Sequence, residues 1–308
     1  MDRILCRAHI LLMQLRRLGR TGLQVTPLGF GGAEIGFESA GQATVDRLLN
    51  AALDAGLNVV DTAECYMDSE ELIGRAIAHR RASYHLFTKV GHAAGLPHPE
   101  WSPELITASI ERSLQRLRTD RLDLVQLHSC DLATLRAGAV VEALTRARDA
   151  GKCRFIGYSG DGEAARHAAE SGIFDTIQTS LSIADQRNID EVLPAARAKD
   201  LGVIAKRPIA NAAWRHGTRP PNPYHHVYYD RLQELRYDFL AGADAVEIAL
   251  RFTLGLAGVS TAIVGTANPA RWAANAALAG KGPLAQSQVD AIRARWAAVA
   301  KPDWTGQT

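Results

Sequence analysis

Eight short apolar runs, each followed by a longer segment of helical period, constrain this chain more than any other feature. They are Leu28–Ala33, Asn58–Ala63, His85–Val90, Leu122–His128, Arg154–Ser159, Thr176–Ser182, Gly202–Arg207 and Thr261–Thr266. Between them, sets such as Val45, Leu48, Leu49, Ala52 and Leu53, or Leu105, Ile106, Ser109, Ile110, Leu114 and Leu117, fall at the i, i+3, i+4 spacing of a core-facing helix. The apolar runs are nearly continuous rather than alternating, as in strands covered on both faces, so they predict a parallel sheet with helical crossovers. Eight such units in about 250 residues fit a closed (β/α)8 TIM barrel, whereas an open doubly wound sheet carries fewer strands in its nucleotide domain.

One domain over residues 15–308 is expected, because no Gly/Ser linker, charge run or low-complexity tract divides it. Ser102-Pro103-Glu104 reads as a helix start, and Gly56, Gly151, Gly172 and Gly202 read as helix stops. Residues 208–242 are too long for an ordinary connection and are expected as an insertion after strand 7, over the barrel mouth, with a helical run around residues 230–240. Residues 1–14 read as an N-terminal extension, disordered in expectation. Met13 leaves a frayed segment and an alternative start both open for residues 1–12.

Composition narrows the function classes. The 308 residues, 47% hydrophobic and 22% charged, suit a soluble globular protein. Thirty-five Lys plus Arg against 33 Asp plus Glu give a net charge of +2, too balanced for a protein that works on nucleic acid or acidic membrane. Any anion must be held locally. The cysteines Cys6, Cys65, Cys130 and Cys153 form no CxxC pair, and the first residues carry no apolar core of signal length, so reduced thiols and a cytoplasmic location are expected.

Catalytic side chains of such a barrel come from the carboxyl ends of its strands. There stand Asp61, followed by Thr62-Ala63-Glu64-Cys65-Tyr66, then Lys89, then His128. Singly, each has a bland reading as a cap, a loop aromatic, a solvated charge or a near-core histidine. Together they suit acid–base work on a carbonyl. A phenol with a pKa near 10 needs a neighbouring cation, which Lys89 supplies, and Asp61 keeps that ammonium charged and oriented. His128 is then free to donate to the carbonyl oxygen.

At these residues the chain resembles the aldo-keto reductases, whose pattern D-T-A-x-x-Y-x-x-S-E-x-x-[IL]-G appears as DTAECYMDSEELIG over residues 61–74. The resemblance continues in FTKV (87–90), LVQLH (124–128), IGYS (156–159), a strand carrying Gln178, GVIA (202–205) and IVGTANPAR (263–271), and covers about residues 15–280. It implies that Asp61, Tyr66, Lys89 and His128 form the family's catalytic tetrad, with Tyr66 as general acid in NADPH-dependent reduction of an aldehyde or ketone. It further implies that Ser159 and Gln178 hold the nicotinamide carboxamide, that Pro208, Ile209 and Ala210 lie near the pyrophosphate, and that Thr266, Asn268, Arg271 and Asn275 surround the adenosine 2′-phosphate. The Rossmann fingerprint is missing: in GFGGAE, Glu34 stands where its third glycine belongs.

Three positions depart from the family pattern. Gly160 replaces an asparagine after Ser159, Lys206 replaces an aromatic that stacks on nicotinamide, and Gly265 replaces a basic residue before Thr266, which leaves NADH open beside NADPH. Lys206 and Arg207 are candidates to compensate by reaching phosphate. Phe37, Trp101 and Trp214 are candidate substrate walls, with His92, Tyr224, Tyr228 and Tyr229 behind them. No metal is expected, because the adjacent pair His225-His226 lacks a spaced ligand partner. A nicotinamide-sensing subunit with marginal turnover is the alternative reading, and a metal-dependent barrel hydrolase lacks the His-x-His or carboxylate set it needs.

Overall fold

The computed structural model describes residues 14–307, so the expectation for residues 1–12 lies outside the described residues. Eight strands close into a parallel barrel: β1 (Leu28–Gly31), β2 (Val59–Asp61), β3 (His85–Val90), β4 (Leu122–His128), β5 (Cys153–Ser159), β6 (Thr176–Ser180), β7 (Gly202–Lys206) and β8 (Val259–Gly265). Each pairs with its sequence neighbour, and β8 closes the ring on β1 with Ala262 opposite Leu28. Each strand is thus covered by barrel interior on one side and helices on the other, the double burial that its unbroken apolar run demands. This is the (β/α)8 architecture in a single domain.

The helices bury the faces their periodicity marks. Val45, Leu48, Leu49, Ala52 and Leu53 are the buried face of the helix Gln42–Asp54. Ser102 caps the helix Pro103–Arg116 by accepting the Leu105 N–H at 3.2 Å, with Pro103 in the first turn. Gly56, Gly151 and Gly172 take positive φ at helix ends, but Gly202 does not end a helix. It opens β7, and Asp200 takes the left-handed position after the helix Leu193–Ala198.

A hairpin unseen in the sequence, Arg16–Arg17 against Gln24–Val25, plugs the amino-terminal end of the barrel. Leu18, Leu23 and Val25 pack there with Val59, Phe87, Leu124 and Ile204. The insertion after β7 folds as a helical turn at Ala210–Arg215 and a helix at His226–Leu235. That helix starts four residues before the expected run and stops where Arg236 adopts the left-handed conformation. Its Tyr228, Leu232 and Leu235 form a second core with Phe252, Ile292, Trp296 and Trp304. No helix of the described residues is long and apolar enough to cross a membrane.

At the amino-terminal rim the Asp123 carboxylate ties three strands together. It accepts the Leu86 N–H at 2.9 Å, Arg81 at 2.7 Å and Arg154 at 3.1 Å. Burial works against its charge, but the Leu86 N–H and the Arg81 guanidinium outweigh it and hold the pKa below the usual carboxylate value. A depressed pKa stabilises the fold above the unfolded-state value of about 3.9, and that stabilisation is lost as pH falls through the folded value. Asp123→Asn is therefore expected to lower unfolding free energy by about 2 kcal/mol at pH 7. The gap to the unchanged protein should narrow in urea melts as pH falls below the unfolded-state value of about 3.9 and through the lower folded value.

Candidate active site

The closed barrel brings the sequence-selected polar groups to one mouth. Asp61 is the last residue of β2 and Lys89 lies one residue from the end of β3, and both are almost wholly buried. Lys89 Nζ donates to Asp61 Oδ1 at 2.5 Å and to the Thr62 carbonyl at 2.8 Å. Asp61 Oδ2 accepts the side-chain amides of Gln178 at 2.9 Å and Gln126 at 3.4 Å. Burial alone disfavours the ammonium, but Asp61 more than offsets this and keeps the Lys89 pKa above its ordinary value. The pair is thus an ion pair with its remaining acceptor positions filled.

The Lys89 ammonium lies 4.9 Å from the centre of the Tyr66 ring. The Tyr66 and His128 rings meet edge-on at 5.6 Å. From the sequence, the Lys89 charge is expected to govern the Tyr66 pKa. In the structure burial dominates instead and pushes the phenol up to about 12, with Lys89 pulling in the opposite direction. A phenol raised that far holds its proton at neutral pH. Burial, then the Lys89 charge, lowers the His128 pKa well below its ordinary value, so its imidazole is neutral. Beside them Ser159, paired with His128 across β4 and β5, donates to Gln178 Oε1 at 3.0 Å.

A family model, that of the Aldo/keto reductase family, matches residues 27–297. The chain belongs to this family. It is similar to the uncharacterized oxidoreductase YqkF of Bacillus subtilis, 30% identical over 64% of this chain and 65% of that protein, just under two thirds of its length. It is also similar to the L-galactose dehydrogenase of Arabidopsis thaliana, 27% identical over 82% of this chain and 84% of that one. Among solved structures, the aldo-keto reductase AKR11C1 from Bacillus halodurans in its holo form superposes with a TM-score of 0.82 at 26% identity. That match covers 94% of this chain and 99% of the other. With the family comes oxidoreductase chemistry that uses a nicotinamide cofactor.

In this aldo/keto reductase the departures have physical causes. A Cβ at Gly160 would stand 2.4 Å from the hydroxyl of Tyr158, which is fixed by its hydrogen bond to the Cys130 carbonyl, so a larger residue does not fit. Lys206 does not reach out for phosphate as the sequence reading suggested. Its ammonium is buried against Asp161 at 2.9 Å. That carboxylate also accepts Thr179 Oγ1 at 2.8 Å, Ser180 N at 2.7 Å and Asn188 Nδ2 at 2.8 Å. Burial opposes charge on Asp161, yet Lys206 and these donors hold its pKa below the ordinary value. Arg207 donates to Ser180 Oγ at 3.0 Å, to the Tyr224 hydroxyl at 3.2 Å and to the Gln307 carbonyl.

After β8, Thr266 is buried and its hydroxyl accepts the Asn268 N–H at 3.0 Å, while Asn268 caps the helix Pro269–Ala279 through the Ala270 N–H at 2.9 Å. Arg271 is exposed in the first turn of that helix and Asn275 is buried one turn on. Pro208 and Ile209 follow Arg207 at the end of β7. Gly265 is filled by another chain segment: a Cβ there would overlap the carboxyl of Glu34, whose pKa burial raises to about 7.

Of the candidate walls, Phe37 meets the Tyr66 ring at 5.6 Å, and Trp101 and His128 both meet His92 at 5.2 Å. Trp214 is not among them. It packs on the second core beside Leu232 and Leu240, in a groove that contains no tetrad residue. Tyr229 packs on the same core, and Tyr228 is wholly buried with its hydroxyl on Asp185 at 3.0 Å. Sequence reasoning missed Gln126, although its position two residues before His128 on β4 places both side chains on the same face. It also missed Asp161 and the tail residues near Trp304, for which a lone acid and a terminal segment give no signal.

Removing one member of the Asp61–Lys89 pair leaves the other uncompensated in the interior. Asp61→Asn is expected to lower stability by about 3–5 kcal/mol, checked by chemical denaturation of the purified variant against the unchanged chain.

Proposed function

We propose that this chain reduces an aldehyde or ketone to the alcohol with NADPH, Tyr66 acting as general acid. The observation that carries the reading is geometric: the Asp61-anchored Lys89 ammonium lies 4.9 Å from the Tyr66 ring, and the His128 ring meets that ring edge-on at 5.6 Å. The residues present fit the cofactor: Ser159 and Gln178, the pair that the family resemblance sets against the nicotinamide carboxamide, stand side by side on neighbouring strands and are hydrogen-bonded to each other. Arg271 offers an exposed guanidinium at a helix start, where the free N–H groups also favour an anion. When bound, the reduced nicotinamide supplies a hydride to the carbonyl carbon.

The chain's residues do the rest. His128 donates an N–H to the carbonyl oxygen and orients it toward the phenol. Tyr66 gives its proton to that oxygen as charge develops there. Lys89 stabilises the phenolate left behind, and Asp61 keeps Lys89 in place and charged. Phe37, Trp101 and His92 bound the substrate position with ring surfaces, which suits a carbonyl compound with an apolar body. The Lys206–Asp161 pair, where relatives of the family pattern carry a stacking aromatic, favours a second reading: a subunit that binds nicotinamide and turns over little.

Loss of NADPH absorbance with a panel of aliphatic and aromatic aldehydes separates the two. Turnover is expected in the unchanged chain and should fall by about 10²–10⁴-fold in Tyr66→Phe, while cofactor binding followed by tryptophan fluorescence persists. Binding without turnover on any carbonyl would favour the sensing subunit. Arg271→Ala is expected to raise KM for NADPH by about tenfold and leave KM for NADH within about twofold, because only NADPH carries the additional phosphate. Equal effects on both cofactors would remove Arg271 from that role.

A further inference from the structure

Behind the catalytic imidazole, three side chains of metal-ligating type converge, and two of them have no part in the reaction described above. Glu64 and Cys65 precede Tyr66 on the loop after β2, and His128 ends β4. One ligand atom from each lies within 4.8 Å of the other two. Cys65 Sγ stands 3.5 Å from Nδ1 of His128, so the thiol faces the ring nitrogen. The Glu64 carboxyl is buried, and its Oε1 accepts the His92 N–H at 3.0 Å. Among the described residues its Oε2 has no hydrogen-bond partner, a costly state for an interior carboxyl oxygen. Cys65 and His128 are only half-buried, which leaves the group open toward the barrel mouth.

We propose that Glu64, Cys65 and His128 form a binding site for a soft divalent cation of the zinc class, ligated by the Cys65 sulfur, His128 Nδ1 and a Glu64 carboxyl oxygen. One thiolate, one imidazole and one carboxylate make a three-ligand tetrahedral set whose fourth position takes water. Magnesium and calcium prefer all-oxygen donors and gain nothing from the sulfur or the imidazole. Binding releases the thiol proton and any proton on Glu64 to solvent, so two negative charges meet the dication. The Lys89 ammonium is close, but Asp61 at 2.5 Å compensates its charge.

An ion held there engages the imidazole that is meant to orient the carbonyl and stands beside Tyr66. It competes with the reaction rather than taking part in it. This inhibitory consequence rests on the reductase reading; the site does not.

Cobalt(II) is the probe, because its thiolate charge-transfer absorption reports cysteine ligation directly. Titrated into the full chain under reducing conditions, it is expected to give that absorption, saturating near a single equivalent, and zinc(II) should displace it. Cys65→Ser should abolish the band, and Glu64→Gln should weaken apparent affinity by about tenfold or more, with folding of both variants verified by circular dichroism. A band absent from the unchanged chain, a band that survives in Cys65→Ser, or an affinity unaltered in Glu64→Gln would each overturn the assignment. Zinc inhibition of aldehyde reduction should weaken about tenfold in Glu64→Gln. If no carbonyl is reduced by any form, the reductase reading fails while the cobalt titration still decides the site.

Discussion

The ion pair between Asp61 and Lys89 sets the conditions for everything else at the barrel mouth. Neither charge is tolerable alone at that depth, and the two are brought to 2.5 Å only because β2 and β3 are neighbours in a closed ring with Asp61 paired to Phe87. Gln178 reaches the same carboxylate from β6, on the other side of the barrel. Closure of the barrel is thus what allows strands distant in sequence to satisfy one buried carboxylate. The pair in turn sets a positive charge 4.9 Å from the centre of the Tyr66 ring, which opposes the upward push of burial on its phenol.

The fold was legible because both of its signals are local. Unbroken β-branched runs and the helical spacing of residues such as Leu105, Ile106 and Ile110 report double burial and amphipathicity directly. The convergence of Asp61, Lys89 and His128 on one mouth was legible for a related reason: strand ends in a barrel converge, so these residues could be grouped without knowing the register. Trp214 shows the limit of that reasoning. It lies in the insertion, whose course is set by packing of Tyr228 and Leu232 against Phe252 and Trp296, contacts between segments far apart in sequence.

Electrostatics was the least legible part. Lys206, a candidate from sequence to reach phosphate, is paired with Asp161, and the shape around Tyr158 leaves room only for glycine at 160. The direction of the Tyr66 shift also depended on how deeply the loop after β2 is buried, which composition and spacing do not encode. The unpartnered Glu64 oxygen beside Cys65 and His128 belongs to the same class of fact, since only the assembled mouth brings them together.

In the reaction we propose, Lys89, held charged by Asp61, enables Tyr66 to protonate a carbonyl oxygen. The most direct test is single-turnover reduction of an aldehyde by enzyme preloaded with reduced cofactor, comparing the unchanged chain with Lys89→Met. The transfer rate is expected to fall by at least about 100-fold in Lys89→Met, with cofactor still bound as judged by tryptophan fluorescence. Transfer at the unchanged rate in that variant would contradict it.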